Sequence, residues 1–484
     1  MTKKIFLVFF FAFVIRLIAL DQSLWLDEAV TAKVVMSYSY TEIINKFSPT
    51  DFHPPLYYLF MKAWTNVFGY SEVALRMPSV LFCLMSGYLI YLIGGIWAAT
   101  FFLLNPLIIY YSQDARMYMM ATFFIAVNFS FYLALSDERS PQGQKPIAMT
   151  TISSVCFILT ILLSMLTFYG SIFYFGAVII FTFFKKQFKL FALSVLSLVG
   201  SLVLLYPLLS VQMQYSGVVL TQVKNWRATL GTVTVKQLIL FPLKFATGRI
   251  SFEPKSLYFL IGGIWAAFLG LVIVKEIPRI ASLPRNDTDT GQARMTLLFF
   301  TVIPITLGVI ISFHTPLLQY FRFQFVIIFL SILLAVSTIK YPRLRTVIII
   351  GSVIWSFVYL VNPSFHREDW KELSVNLLSE NKPVYIVASS ADPLTYYVPF
   401  LASRSLESLV SVSPQEDKII IIPYTADIHG INYKKELTKY KYELLEQKNV
   451  HGIDYEIWKR SGTFYVKDSL RDSSTPLGMT FVIQ

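Results

Sequence analysis

Three short stretches set residues capable of acid–base and anion chemistry between long apolar runs. The first is Leu24-Trp25-Leu26-Asp27-Glu28-Ala29. Adjacent carboxylates, close together and partly desolvated, push at least one pKa upward, which suits a general base. The plainer reading is a solvated acidic pair capping an interfacial helix. The second is Asp51-Phe52-His53-Pro54-Pro55-Leu56-Tyr57-Tyr58. Its two prolines fix the backbone and start a helix at Leu56, so the His53 imidazole is held where it could neutralise an anion or hold Asp27. The third is Tyr110 to Tyr118, which contains Asp114 and Arg116 between two apolar segments. An acid and a guanidinium at membrane depth normally face the bundle interior. Arg116 beside tyrosines could clamp a phosphate, or could simply pair with Asp114. A fourth, weaker stretch is Tyr320-Phe321-Arg322, where Arg322 either snorkels or adds a second positive charge.

The elements that must position these residues are membrane helices. Of 484 residues, 55% are hydrophobic and 14% charged. A soluble chain of this length needs far more charge on its surface. The 42 Phe and 28 Tyr suit lipid-facing surfaces with interfacial aromatic belts. Cys83 and Cys156 both sit in apolar runs and read as small core residues, not as a disulfide framework or a metal set. The net charge of +12 does not signal nucleic acid, because residues 362–484 carry 14 Lys+Arg against 16 Asp+Glu. The excess lies between the apolar runs of the first 361 residues, as the positive-inside rule requires.

Apolar runs at 5–20, 79–94, 95–111, 117–135, 150–168, 170–184, 190–209, 257–274, 295–313, 321–338 and 346–361 predict about eleven spans. The runs at 79–94 and 95–111 are short for two full crossings, with Gly94-Gly95 the turn signal between them. The Lys/Arg-rich loops at 185–189, 275–294 and 340–345 then fall inside. Loops 21–78, 112–116, 210–256 and 314–320 fall outside with the C-terminal region. Lys224, Arg227, Lys236, Lys244 and Arg249 in loop 210–256 read as lipid headgroup contacts. After Val361 the pattern changes. Strands are expected at Lys382–Val387 and Lys418–Pro423, a helix at Trp370–Leu378, and a hairpin turning at Asn449-Val450-His451-Gly452. The expected architecture is an all-α polytopic membrane domain over 1–361, its active loop at 21–78, followed by an extracytoplasmic α/β domain over 362–484.

Trp25-Leu26-Asp27-Glu28-Ala29, His53-Pro54-Pro55-Leu56-Tyr57, Leu75-Arg76-Met77-Pro78-Ser79 and Tyr111-Ser112-Gln113-Asp114-Ala115-Arg116-Met117-Tyr118 occur in that order. This order resembles the GT-C membrane glycosyltransferases, in particular the family 39 group. That group includes protein O-mannosyltransferases and the aminoarabinose transferases that modify lipid A. The likeness is strongest over about residues 20–120, and His366-Arg367-Glu368-Asp369-Trp370 is similar to the start of the outer domain of bacterial members.

The resemblance implies a GT-C fold and a polyprenyl-phosphate-linked sugar donor. It further implies transfer of a monosaccharide, with inversion, to a lipid, glycan or protein acceptor outside the cell membrane. It assigns catalytic roles to Asp27 as base, to Glu28 as the neighbour that orients it or the acceptor, and to Asp114. It assigns donor phosphate binding to Arg116, His53, Arg322 and Tyr320. No cofactor is required, and no residue pattern supports a divalent metal. Asp287-Thr288-Asp289 matches the Asp-x-Asp metal motif of nucleotide-sugar transferases, but without the preceding strand it reads as a chance match. The rival from another class is a transporter or lipid flippase. That reading calls for inverted repeats and interrupted helices in both halves, and neither is evident.

Overall fold

The computed structural model describes residues 3–136, 151–275 and 288–461. Asp287 and residues 462–484 lie outside the described residues, so the Asp-x-Asp match is not placed. The first 361 residues fold as helices. In chain order these are α1 (Lys3–Leu17), α2 (Leu26–Ser37), α3 (Leu56–Phe68), α4 (Glu72–Leu103), α5 (Pro106–Ser112), α6 (Tyr118–Leu135), α7 (Thr151–Thr167) and α8 (Ile172–Phe184). They continue with α9 (Phe188–Gln222), α10 (Val235–Thr247), α11 (Lys255–Val274), α12 (Thr288–Ser312), α13 (Val326–Ser337) and α14 (Pro342–Val361). Six of the described helices are long and apolar enough to cross a membrane, and α7, α8 and α13 are shorter apolar helices. The polytopic helical architecture is therefore present, with the spans less uniform than eleven equal crossings.

The short runs around Gly94-Gly95 show why. Gly95 adopts φ +81 and ψ −175 inside α4 and breaks it, a backbone geometry that only glycine takes without strain. The chain then returns through the last turns of α4 and through α5. Neither piece is 20 residues long. Both are buried by neighbouring helices, because residues 98–104 and 106–112 are shielded throughout. Asn105 restarts the helix: its side chain accepts the N–H groups of Leu107 and Ile108 at 2.9 and 3.2 Å, and Pro106 takes the first helical position. Helix α9 runs well past the expected end at residue 209. Its extension is held by Gln212, whose amide donates to Ser48 O (2.7 Å) and His53 O (3.2 Å).

Residues 362–461 form the α/β domain. Its helices α15 (Trp370–Glu380) and α16 (Asp392–Tyr397) pack with five strands: β1 (Val384–Ile386), β2 (Ser403–Ser405), β3 (Lys418–Ile422), β4 (Tyr442–Val450) and β5 (Ile453–Arg460). The sheet order is β2-β1-β3-β5-β4, with β1 parallel to β2 and β3 and the rest antiparallel. Central β3 buries Ile420 and Ile422 on one face and Ile419 and Ile421 on the other, as a strand covered on both sides must. The β4–β5 hairpin turns at His451 (φ +40) and Gly452 (φ +89), the left-handed pair that matches strand twist. Strand β2 was not foreseen: three polar residues carry no periodic signal.

The α/β domain docks on the first loop through polar contacts. Lys33 on α2 pairs with Asp392 on α16 at 2.6 Å. The Tyr397 hydroxyl accepts the Leu24 N–H at 2.8 Å, and Lys371 pairs with Glu72 at 3.2 Å. The parallel strands therefore direct their carboxyl ends, through α16, toward α2.

Candidate active site

Helix α2 begins at the motif Trp25-Leu26-Asp27-Glu28, and the helix itself separates the two acids. Successive residues on a helix point about 100° apart, so one faces inward and the other outward. Glu28 is fully buried. It accepts the Arg76 Nε and Nη2 protons at 2.8 and 2.6 Å, the Arg367 Nη1 proton at 2.9 Å, the Ala115 N–H at 2.8 Å and the Trp25 N–H at 3.4 Å. Burial alone would raise its pKa, but Arg367 and Arg76 outweigh this and hold it below the ordinary value. With every lone pair engaged, Glu28 has none left for a substrate proton. Its contacts are to the arginines and backbone around it, and the resemblance gives it an orienting place beside Asp27.

Asp27 points the other way and is 40% exposed. Its Oδ2 lies 3.8 Å from Arg116 Nη2, and its backbone carbonyl accepts from Arg116 Nη1 at 3.2 Å. Arg116 is itself only 4% exposed and also reaches the Tyr58 hydroxyl (3.4 Å) and Thr31 Oγ1 (3.5 Å). Arg116, expected to clamp a phosphate, is a buried guanidinium whose contacts are to Asp27, Tyr58 and Thr31. Asp51 adds to this layer: Arg116 and the Tyr58 hydroxyl both act on it, and its Oδ1 lies 3.3 Å from His53 Nδ1. Burial pushes Asp51 up, yet His53 and Arg116 bring its pKa below the ordinary value. His53 therefore sits in the site as the companion of Asp51.

Asp114 is almost fully buried. Its Oδ1 accepts from Trp25 Nε1 (3.1 Å) and lies 3.1 Å from Arg367 Nη2. Its Oδ2 has no hydrogen-bond partner among the described residues. Burial pushes its pKa up, Arg367 opposes and neighbouring Glu28 adds to the rise, leaving it at about 6. The Asp114 carbonyl also accepts from Ser79 Oγ at 2.5 Å, which locks the loop.

Beside Trp25 opens a cavity of about 720 Å³ between the helical region and the α/β domain. Its lining includes Trp25, Tyr110, Arg249, Arg367, Glu368 and His451. Arg249 is exposed to it, and no carboxylate of the described residues lies within ion-pair distance. The guanidinium stands over the rings of Tyr110 (5.3 Å) and Trp25 (5.7 Å), which favours a cation without neutralising it. Lys244 supports the turn: its Nζ donates to Ile250 O at 2.7 Å, and burial and Arg249 push its pKa down to about 7. Tyr320 is near-buried beside Arg249, with its side chain bonded to Tyr111. Arg322 donates Nη1 to Leu230 O and Leu317 O at 3.2 and 3.1 Å, within electrostatic reach of Tyr118 and Asp27.

Of the seven residues singled out from the sequence, Asp27 and Arg116 are in contact, His53 joins them through Asp51, Arg322 is within electrostatic reach of Asp27, and Tyr320 lies beside Arg249. Two arginines were missed as site residues. Arg367 belongs to the His366–Trp370 stretch, whose residues carry no charge pattern of their own, and the loop position of Arg249 points only to lipid headgroups. Loop charges carry no sequence signal for the cavity they face. Among the described residues, no three His, Cys, Asp or Glu side chains gather as a metal would need.

No protein-family model matches the chain, and no curated protein matches it. Among solved structures, similar ones include two crystal structures of ArnT from Cupriavidus metallidurans, one bound to undecaprenyl phosphate and one in the apo state. Each is 12% identical, with 93% of this chain and 97% of that chain covered, at TM-scores of 0.42 and 0.41.

Two outcomes follow from the ion network. Removing Glu28 strands two buried arginines, so Glu28→Ala should lower stability by about 3–5 kcal/mol. Half-exposed Asp27→Ala should lower it by less than about 1 kcal/mol. Thermal unfolding in detergent measures both, and equal losses would contradict the division of roles. Asp114 holds its proton more tightly folded than unfolded, so its ionisation costs stability as pH rises from 3.8 toward about 6. The melting temperature of Asp114→Asn relative to the natural chain should therefore rise between pH 5 and pH 7.5. A flat difference counts against a raised Asp114 pKa.

Proposed function

We propose that this chain is an integral membrane glycosyltransferase that moves a monosaccharide from a polyprenyl-phosphate donor to an extracytoplasmic acceptor, with inversion. The observation that carries this reading is a division of labour within one site. Asp27 is an acid held by a buried arginine yet open on its outer side. Arg249 is an unpaired guanidinium in the neighbouring cavity. The sequence motifs supply the donor class; the geometry supplies a place for its reacting atoms.

In the proposed reaction the acceptor hydroxyl gives its proton to Asp27 as its oxygen attacks the anomeric carbon. The bond from that carbon to the phosphate oxygen breaks, and both electrons leave with the phosphate. The phosphate goes from a diester with one negative charge to a monoester with a second. A fixed cation aimed at that oxygen stabilises the charge as it develops. Arg249 is the group we assign to it, with Tyr320 beside it and Arg322 nearer to Asp27. Direct attack on the face opposite the leaving group inverts the configuration. The apolar helices offer the polyprenyl chain a surface of its own polarity.

The test is radiolabelled sugar transfer from a polyprenyl-phosphate donor in membranes. Asp27→Asn should reduce transfer by at least about a hundredfold while donor affinity stays near that of the natural chain. Near-normal transfer by this variant would remove Asp27 as the base. Arg249→Ala should weaken affinity for polyprenyl phosphate by about tenfold or more. Arg116→Ala should act on turnover through Asp27. If Arg116→Ala weakens donor binding more than Arg249→Ala does, the assignment of the phosphate to Arg249 fails.

A further inference from the structure

The α/β domain contributes His366, Arg367, Glu368 and His451 to the cavity wall, and because Arg367 is paired with Glu28 and Asp114, Glu368 is the uncommitted charge of that wall. Glu368 lines it and lies within ion-pair distance of no cation among the described residues. Its only side-chain hydrogen bond is long: the Tyr424 hydroxyl donates to Oε1 at 3.5 Å. The other oxygen is left to the cavity. Tyr424 follows β3 at the carboxyl edge of the parallel strands, its ring edge-on to buried Trp370 at 4.9 Å. The hydroxyl of Tyr424 lies within electrostatic reach of Asp27, Glu368 and Arg249 together. Tyr424 thus stands behind Glu368 and holds its Oε1. His366 also faces the cavity. Its Nε2 lies 3.0 Å from the Tyr359 carbonyl, which fixes Nε2 as the proton-bearing nitrogen and leaves Nδ1 as an acceptor.

In the donor reading the sugar lies between Arg249 and Asp27. Its phosphate rests on Arg249, and its anomeric carbon faces an acceptor oxygen at Asp27. Its remaining hydroxyls then meet Glu368 and His366 in the cavity wall, with Tyr424 bonded to Glu368 from behind. A carboxylate and an imidazole lone pair accept hydrogen bonds from hydroxyl groups. The same carboxylate repels a second one. We infer that Glu368 and Tyr424 of the α/β domain read the donor's sugar, and that they select neutral polyhydroxyl sugars against uronic acids. This inference rests on the donor reading above, and it assigns sugar selection to the α/β domain while the chemistry stays on the first loop.

The experiment uses the full chain in detergent and three ligands: polyprenyl phosphate without sugar, its hexosyl ester and its hexuronosyl ester. The natural chain should bind the hexosyl ester about tenfold or more tighter than the hexuronosyl ester. Glu368→Gln, which keeps the shape and removes the charge, should reduce that preference to about threefold or less. Tyr424→Phe should weaken the hexosyl ester alone by about threefold or more. Tyr424→Phe should keep the natural affinity for sugar-free polyprenyl phosphate, and Glu368→Gln should bind it at least as tightly because the lost charge acts on Arg249, which also shows that both are folded. An unchanged preference in Glu368→Gln, with sugar-free binding intact, overturns the inference and leaves the donor reading standing. Failure of the natural chain to bind polyprenyl phosphate at all removes the donor reading, and this inference with it.

Discussion

A single buried carboxylate organises the region around the site. Glu28 accepts hydrogen bonds from Arg76 on α4, from Arg367 at the entry to the α/β domain, from the Ala115 backbone and from the Trp25 backbone. An ionised carboxylate away from water is stable only when each of its lone pairs is met. Meeting them brings four separate parts of the chain to one point. The network adds little net stability compared with an apolar core of the same shape. Its value lies in specification, because any arrangement that leaves one charge alone is strongly disfavoured. Asp27 is the next residue along the helix, so the acid we assign to catalysis inherits a fixed position from its neighbour.

The charged groups around this point divide by whether they have partners. Arg76, Arg116 and Arg367 are buried and committed to protein acceptors. They hold other residues in place. The Arg249 guanidinium stands over aromatic faces, with no carboxylate of the described residues in ion-pair distance, and its turn is supported from behind by Lys244 and by Gly248, whose φ of +71 brings the backbone against Pro106. A cavity cation with no carboxylate within ion-pair distance retains its capacity to bind an anion. Among the acids, Glu28 is committed while Asp27 and Glu368 keep free oxygens. The proposed chemistry uses the uncommitted groups, and the committed ones set the distances between them.

The α/β domain is part of this arrangement and not an appendage. Arg367 enters the same ion network, Lys33 and Asp392 join α2 to α16, and the carboxyl edge of the parallel strands brings Tyr424 toward Asp27. Ligands in open parallel sheets gather at that edge. Here the edge is closed by the helical region, which turns it into one wall of a shared cavity.

Much of this was legible in the residues. Long apolar runs require helices in a bilayer, because hydrocarbon leaves the backbone no other partners. The strand, helix and hairpin patterns after residue 361 likewise followed from local periodicity and turn chemistry. The order of the motifs around Asp27, His53, Arg76 and Asp114 marked the region that matters. Which acid is open and which is sealed was not legible: Asp27 and Glu28 are neighbours of like chemistry, and only the arginines that arrive from residues 76 and 367 distinguish them. The same holds for Arg116 and Arg249. A guanidinium is written identically in sequence whether it lies under an aspartate or over a cavity, because its role depends on which oxygens the fold brings within reach. Sequence determined the local elements and the kinds of charge available; long-range packing decided which charges are spent on each other and which remain to act.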